Sequence, residues 1–524
     1  MIYLLPHTIL ASADRDPTQE AFRCAGAALT YAELVQRADQ LATVLYDFGV
    51  RRGDRVGIFL GRSLETAVAI FGILRCGAVY VPLNPKAPES QNHFLLQDCG
   101  IRILVTHPSQ RRSLLKLLGA RPQVQGIVGM SEVEDYPAVD WPTVFAAPPA
   151  TFAVPRQVET DLAYLIYTSG STGQPKGIMH SHASGLAFVR NAAARYAFGP
   201  QDRFGNHAPI YFDISQLAYF GAPLVGATAV LATDAHTVLP ASLGRLFGEE
   251  RLTVWYSVPL AITQLLNAGA LAGQDLTSLR YLFYAGEPLA PRYARQLAEL
   301  LPTTRIANWY GPAETNVCTV YDLPGPPQDD ASIPIGEVWD NTERLIVDDQ
   351  DQPVATGNSG ELLIRATTNM LGYWNQVELS TRAWYTHVTQ GGSTERFYRT
   401  GDLVREDPVG VLHFLGRRDH QVKIRGYRVE LSALEAHLLT HPAVAEAAAV
   451  TVQRQADALS IVVAVILRAG DEATVQDLQE HLAAAFPWYA LPESLYLRES
   501  FPRTGSDKID RPALQSLLAD QVPS

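Results

Sequence analysis

A chain of 524 residues, 47% hydrophobic and 18% charged, has ordinary globular composition and enough length for two or more domains with substantial cores. Its 54 acidic residues outnumber 42 basic ones, a formal charge of −12. That balance argues against non-specific binding to nucleic acid or to an anionic membrane, since both need a basic surface. Cys24, Cys76, Cys99 and Cys318 form no CxxC pair, so neither zinc nor a disulfide framework is indicated, and they read as inert thiols of a reducing cytosol. The N-terminus lacks the basic-then-apolar layout of a signal peptide, and no stretch reaches ~18 uninterrupted apolar residues. The expectation is a soluble cytoplasmic protein.

In chain order, Arg55–Leu60 reads as a strand, Ser63–Cys76 as an amphipathic helix, and Ala78–Pro82 and Ile103–Thr106 as strands. Phe145–Pro155 is Pro-rich and reads as a loop or short linker. Thr228–Leu231, Thr253–Val258 and Tyr281–Tyr284 continue the strand series. Strand–helix alternation predicts parallel or mixed sheets with helices outside, binding ligands in loops at the carboxyl ends of the strands. Beyond about residue 335 the strands shorten and the turns become Gly-rich: Glu343–Val347, Gly360–Ile364, Gly410–Phe414 and Gln421–Ile424. From Leu431 a compact α+β pattern follows, with helices at Ser432–Thr440 and Thr474–Ala485 and strands at Val444–Val452 and Leu459–Leu467. The expected fold class is α/β: a large N-terminal domain of mixed and parallel sheets with packed helices and a β-rich subdomain, then a small mobile α+β C-terminal domain. The polar connection Arg417–Asp419 sets the expected domains at 1–418 and 419–524.

The most informative segment is Thr168-Ser-Gly-Ser-Thr-Gly-Gln-Pro-Lys-Gly177, which follows an apolar strand. Gly170, Gly173 and Gly177 let backbone N–H groups approach phosphate oxygens closely. Thr168, Ser169, Ser171 and Thr172 add hydroxyl donors, and Lys176 adds a positive charge, a chemistry suited to a triphosphate. It is not a Walker A loop, because Pro175 precedes the lysine and Gly177 follows it.

This string resembles the phosphate loop of the adenylate-forming superfamily: acyl-CoA synthetases, luciferases and the adenylation domains of nonribosomal peptide synthetases. Other segments match in family order. Leu29-Thr-Tyr-Ala-Glu-Leu34 and Arg75-Cys-Gly-Ala-Val-Tyr-Val-Pro82 precede the loop. Asn308-Trp-Tyr-Gly-Pro-Ala-Glu-Thr315, Gly360-Glu-Leu362, Tyr398-Arg-Thr-Gly-Asp402, Val422-Lys-Ile-Arg-Gly-Tyr-Arg428 and Lys508-Ile-Asp-Arg511 follow it. The resemblance implies that Asp402, after a Thr-Gly turn, accepts hydrogen bonds from the ribose hydroxyls with support from Arg417. Tyr310 would stack on adenine, Gly286 and Glu287 would line its site, and Asn308, Trp309 and Gly311 belong to the same motif. Glu314 would be the Mg²⁺ ligand, and one well-placed carboxylate suffices for a metal that takes phosphate and water as its other ligands. Ala313 stands where the family commonly has Thr, so one α-phosphate donor is missing. Lys508 would reach into the site on a C-terminal loop and stabilise the charge that develops as a carboxylate attacks the α-phosphorus. The usual Asn-Gly before it is here Ser506-Asp507. Asp419 matches the hinge about which family members rotate the small domain before thioester formation, with Gly426 then lining the pantetheine tunnel.

In Tyr211-Phe-Asp-Ile-Ser215, Asp213 matches the carboxylate that pairs with an α-ammonium in amino-acid-activating members. An Asp here also suits capping of the helix that follows. The family's substrate-lining positions are Asp213, Ile214, Leu217, Tyr256, Phe283, Ala285, Trp309, Val317, Cys318 and Lys508. Between the charged ends all are apolar or aromatic, where a charged side chain would lie unpaired. The bulky aromatics imply a compact apolar amino acid. The set resembles free-standing prolyl ligases of pyrrole- and anatoxin-type pathways, which favours L-proline over valine, alanine, pipecolate or a substituted proline. An acyl- or aryl-CoA ligase is the competing reading. No carrier-protein serine motif or condensation-type His-His motif is seen, so the expected acceptor is a phosphopantetheine arm on a separate carrier protein, with ATP and Mg²⁺ as cofactors.

Overall fold

The computed structural model describes residues 1–120, 122–149, 155–168, 175–389, 391–418, 421–424, 426–453, 459–468, 470–503, 509–519 and 521. The chain divides into two compact units. One is Met1–Pro85, Leu95–Ile166 and Gly177–Gly416; the other is Lys86–Phe94, Tyr167–Lys176 and Arg417–Ser524.

The first unit is built on two large sheets. The nine-stranded sheet runs Glu337–Val338, Thr319–Asp322, Arg305–Tyr310, Tyr281–Ala285, Val254–Ser257, Arg203–Asn206, Thr228–Leu231, Glu20–Cys24 and Ala27–Thr30. Its centre is parallel and its edges antiparallel. The eight-stranded sheet has Val79–Pro82, Arg55–Phe59, Ile103–Thr106 and Gly126–Gly129 as parallel neighbours. These strands read as near-continuous apolar runs because both faces are covered. The segment Leu29–Leu34 proves to be a helix start: Thr30 accepts from the Glu33 N–H (3.2 Å) and Glu33 returns a bond to the Thr30 N–H (2.8 Å), a capping box opening the helix Tyr31–Asp47.

The β-rich part is antiparallel: Thr342–Val347, Ser359–Ala366, Thr394–Glu406 and Trp384–Val388 in order, with Leu412–Arg417 beside Thr394–Glu406. Here Asp402 does not follow a free turn. Thr400-Gly-Asp402 is a bulge inside the long strand Thr394–Glu406, where the pairing slips opposite Leu362 and Gly401 takes φ +71°.

The second unit packs the strands Val444–Gln453, Leu459–Leu467 and Ser494–Leu497 with the helices Leu431–Leu438, Val475–Ala483 and Arg511–Ala519. Arg511 makes a two-pronged bond to Glu435 (2.6 and 2.8 Å) and donates to the Ala449 carbonyl (2.8 Å), anchoring the last helix.

Candidate active site

The strand register explains how residues far apart in sequence share one surface. Tyr256 pairs with Phe283, Phe283 with Ala307, and Ala285 with Trp309. Side chains alternate along a strand, so Tyr256, Phe283, Ala285 and Trp309 stand on the same face of three adjacent strands. Trp255, Leu282, Tyr284 and Ile306 face the other way into a separate core. The Phe283 and Trp309 rings stack at 4.0 Å, Tyr256 lies 4.8 Å from Trp309, and the Trp309 indole donates to the Tyr196 hydroxyl (3.2 Å). Trp309 is fully buried, so this floor is rigid.

Three loops leave the carboxyl ends of the parallel strands. After Arg203–Asn206 comes the 3₁₀ turn Asp213–Ser215, continued by a π-helical turn Leu217–Gly221, a geometry found often at functional sites. The Asp213 carboxylate accepts the Ile214 N–H (2.9 Å). Burial holds the Tyr256 phenol well above its ordinary value, and the Asp213 carboxylate adds to the effect. Ile214, Leu217 and Tyr256 also pack closely together with Ala218 and Val254. After Tyr281–Ala285 the chain turns at Gly286 with φ +100°, followed by Glu287. After Arg305–Tyr310 comes the loop with Gly311 and Glu314. A Cβ on Gly311 would meet the Asn316 carbonyl at 1.5 Å, so only glycine fits.

Glu314 is fully buried and accepts from the Tyr373 hydroxyl (2.8 Å), while its carbonyl takes the Met370 N–H (2.7 Å). Asn308 donates to the Pro334 carbonyl (2.8 Å). The Tyr310 hydroxyl donates to Asp402, which is 4% exposed, and burial, reinforced by that carboxylate, raises the Tyr310 phenol well above its ordinary value. The bond sets the tyrosine ring and the carboxylate in one orientation. Among the described residues no group of three or more His, Cys, Asp or Glu could hold a metal ion, while Glu314 offers one buried carboxylate. A buried carboxylate oxygen donor fits Mg²⁺, which keeps most of its shell for phosphate and water.

In the second unit, Thr168 Oγ1 is buried without a hydrogen-bond partner among the described residues, and Lys176 is 8% exposed. An orphaned hydroxyl and a buried cation at the two ends of a glycine loop suit an anionic ligand. Arg417 closes the strand Leu412–Arg417.

A family model described as "AMP-binding enzyme" matches residues 9–374, and one for its C-terminal domain matches 433–508. The chain belongs to the AMP-binding enzyme family. It is 34% identical over 514 residues, 98% of each chain, to an L-proline–[L-prolyl-carrier protein] ligase of Pseudomonas fluorescens. Other relatives are far longer: tyrocidine synthase 1 of Brevibacillus parabrevis is 34% identical over 93% of this chain, which spans 42% of that protein. Among solved structures, the Vibrio cholerae adenylation domain AlmE, in complex with glycyl-adenosine-5′-phosphate, superposes with a TM-score of 0.86 at 26% identity, covering 99% of this chain and 98% of that one. Enzymes of the AMP-binding family form acyl-adenylates and thioesters, and this one is a ligase of that kind.

Within this AMP-binding enzyme, Ile214, Leu217, Tyr256, Phe283, Ala285, Trp309 and Val317 share one core cluster. Cys318 does not join them; it lies with Ile335, Ile346, Leu362 and Val404. Ser169, Gly170, Ser171, Thr172, Gly173, Asp419 and Lys508, with Ser506-Asp507, lie outside the described residues. Sequence reasoning missed Tyr373, which bonds the Glu314 carboxylate, and His180, whose Nε2 is 2.9 Å from the Ala313 carbonyl. The Gly372-Tyr373 dipeptide carries no distinguishing signal. A histidine in an otherwise apolar strand leaving the glycine loop was the available clue to His180.

Among the described residues no helix is long and apolar enough to cross a membrane.

Proposed function

We propose that this AMP-binding enzyme activates L-proline and passes it to the phosphopantetheine thiol of a separate carrier protein. The observation that carries the reading is the closed aromatic floor of Tyr256, Phe283 and Trp309, which shares one core with Ile214, the residue next to Asp213. A secondary ammonium is matched by the carboxylate, and a compact apolar ring by the floor. The full-length similarity to a ligase named for L-proline supports the same choice. Asp213 disfavours the CoA-ligase alternative, whose acids carry no ammonium.

In the first half-reaction a proline carboxylate oxygen attacks the α-phosphorus of ATP, the bond from that phosphorus to the bridging oxygen breaks, and pyrophosphate leaves. Asp213 holds the ammonium, Tyr310 packs on adenine, Asp402 accepts from the ribose hydroxyls with Arg417 in support, and Gly286 and Glu287 line the base. The glycine loop and Lys176 cradle the phosphates. Mg²⁺ held at Glu314 would neutralise phosphate charge. Lys508 stabilises the charge growing on the phosphoryl oxygens. In the second half-reaction the carrier's thiolate attacks the acyl carbon and AMP leaves, after the small domain turns about Asp419.

ATP–pyrophosphate exchange across the twenty amino acids plus pipecolate tests this. Proline is expected to stimulate exchange most. Strong exchange with valine or alanine and none with proline would overturn the substrate while leaving the adenylation chemistry.

A further inference from the structure

A buried polar cluster joins three segments the reaction needs. Gln216, 2% exposed, follows Asp213 by three residues. Its Oε1 accepts from the Tyr164 hydroxyl (2.9 Å) and from Asn316 Nδ2 (3.0 Å). Tyr164 lies on the strand Leu162–Thr168 that enters the glycine loop, and Asn316 lies two residues beyond Glu314. The Tyr164 ring stacks on His180 at 5.0 Å, and His180 Nε2 is 2.9 Å from the carbonyl of Ala313, the residue before Glu314. Burial pushes His180 down to about 4, so the ring is neutral at pH 7. A carbonyl only accepts, so Nε2 carries the proton and donates, and Nδ1 faces the Ser184 hydroxyl (3.2 Å).

Packing alone does not ask for these groups. Gln216 Nε2 is buried with no hydrogen-bond partner among the described residues, a burden of about 1–3 kcal/mol. Apolar residues of the same shape would be near neutral or stabilising there. Asn316 adopts φ +54°, a backbone that asparagine tolerates better than most side chains. The polar groups therefore sit at a cost beside the Asp213 and Glu314 loops, which points to positioning.

We propose that Tyr164, His180, Gln216 and Asn316 form a positioning hub that fixes the Glu314 carboxylate relative to Asp213, so that the magnesium nucleotide and the amino acid are held in register for attack. The hub rests on the adenylation reading above. Its four members are almost wholly buried and act through Glu314 and Asp213. A misplacement near 1 Å at such a site costs about 100-fold in rate.

The test uses the full chain as Gln216→Met, Asn316→Gly and the double variant. Melting temperature, exchange kcat and the Mg²⁺ half-saturation are measured for each. The hub predicts that Gln216→Met loses about 10- to 100-fold in kcat and needs more Mg²⁺, beyond the modest fall in melting temperature expected from leaving the Tyr164 hydroxyl and Asn316 Nδ2 without their acceptor. The double variant is expected to be no worse than the poorer single, because the Gln216–Asn316 bond is already lost in either single. Unchanged kcat and Mg²⁺ dependence in Gln216→Met, or single losses that multiply in the double, would overturn it. Wild-type exchange with no amino acid would instead sink the adenylation reading. The hub would then be judged by calorimetry of ATP binding with and without Mg²⁺, where a Mg²⁺ dependence identical in all three variants overturns it and a weakened one supports it.

Discussion

The two ends of the parallel strands in the nine-stranded sheet are built differently. At the end where strands begin, Asp202 is fully buried and accepts from Arg280 (2.7 Å), Thr253 Oγ1 (2.7 Å) and the Gly199 N–H (2.8 Å). Beside it Arg203 pairs with Glu250 (2.6 Å) and Arg305 with Asp322 (2.6 Å). Those groups are paired with one another. At the carboxyl end, Gly286 and Asn316 take left-handed backbone, and Gln216 Nε2 and His207 Nδ1 are buried without partners among the described residues. One sheet thus has a saturated end that holds the fold and an unsaturated end that can receive a substrate.

The contrast breaks most sharply at Glu314. Glu314→Gln keeps an oxygen for the Tyr373 hydroxyl but removes the charge; exchange kcat/KM should fall about 100- to 1,000-fold with little change in melting temperature. A buried charge network at the other end should behave oppositely, as below.

The next effect is pH-dependent. Burial pushes His180 and His182 each to about 4 and His207 to about 3. An unfolded histidine binds its proton near pH 6.5, so between pH 6.5 and 4 the unfolded chain holds more protons than the folded one. Stability is therefore fully present above pH 6.5 and declines as pH falls to 4, by about 3 kcal/mol from His180 alone. Denaturant unfolding of wild type and His180→Gln across that range should show a shallower slope in the variant.

Asp202→Ala removes the buried acceptor shared by Arg280, Thr253 Oγ1 and the Gly199 N–H. Arg280 is partly exposed, so the loss in unfolding free energy is about 2 kcal/mol, read as a lower denaturant midpoint, with exchange per folded molecule within about twofold of wild type. The smallest effect concerns the floor: Phe283→Val removes four carbons, more than the one methylene by which pipecolate exceeds proline, and the pipecolate-to-proline ratio of kcat/KM should rise about 10-fold.

Much of this was legible in the sequence. The strand Thr228–Leu231 and the strand Ile103–Thr106 have the boundaries their apolar runs suggest, and Asp213 stood out by its place after Tyr211-Phe212. What stayed hidden depends on register and on long-range pairing. Nothing local in Gln216 or Asn316 announces a bond across 100 residues of chain. The bulge at Gly401 reads as a turn because Thr-Gly-Asp is turn chemistry wherever it stands. Cys318 aligns with a substrate-lining position of the family, yet its side chain lies with Ile335, Ile346, Leu362 and Val404, apart from the core that holds Val317.

The central claim is that Asp213 reads an ammonium. Exchange measured with L-proline and with cyclopentanecarboxylate, a ring acid of similar shape with no amine, tests it in wild type and Asp213→Ala. Wild type should prefer proline by about 100-fold or more, and Asp213→Ala should lose that preference by losing proline. A preference for proline undiminished in Asp213→Ala would contradict the account.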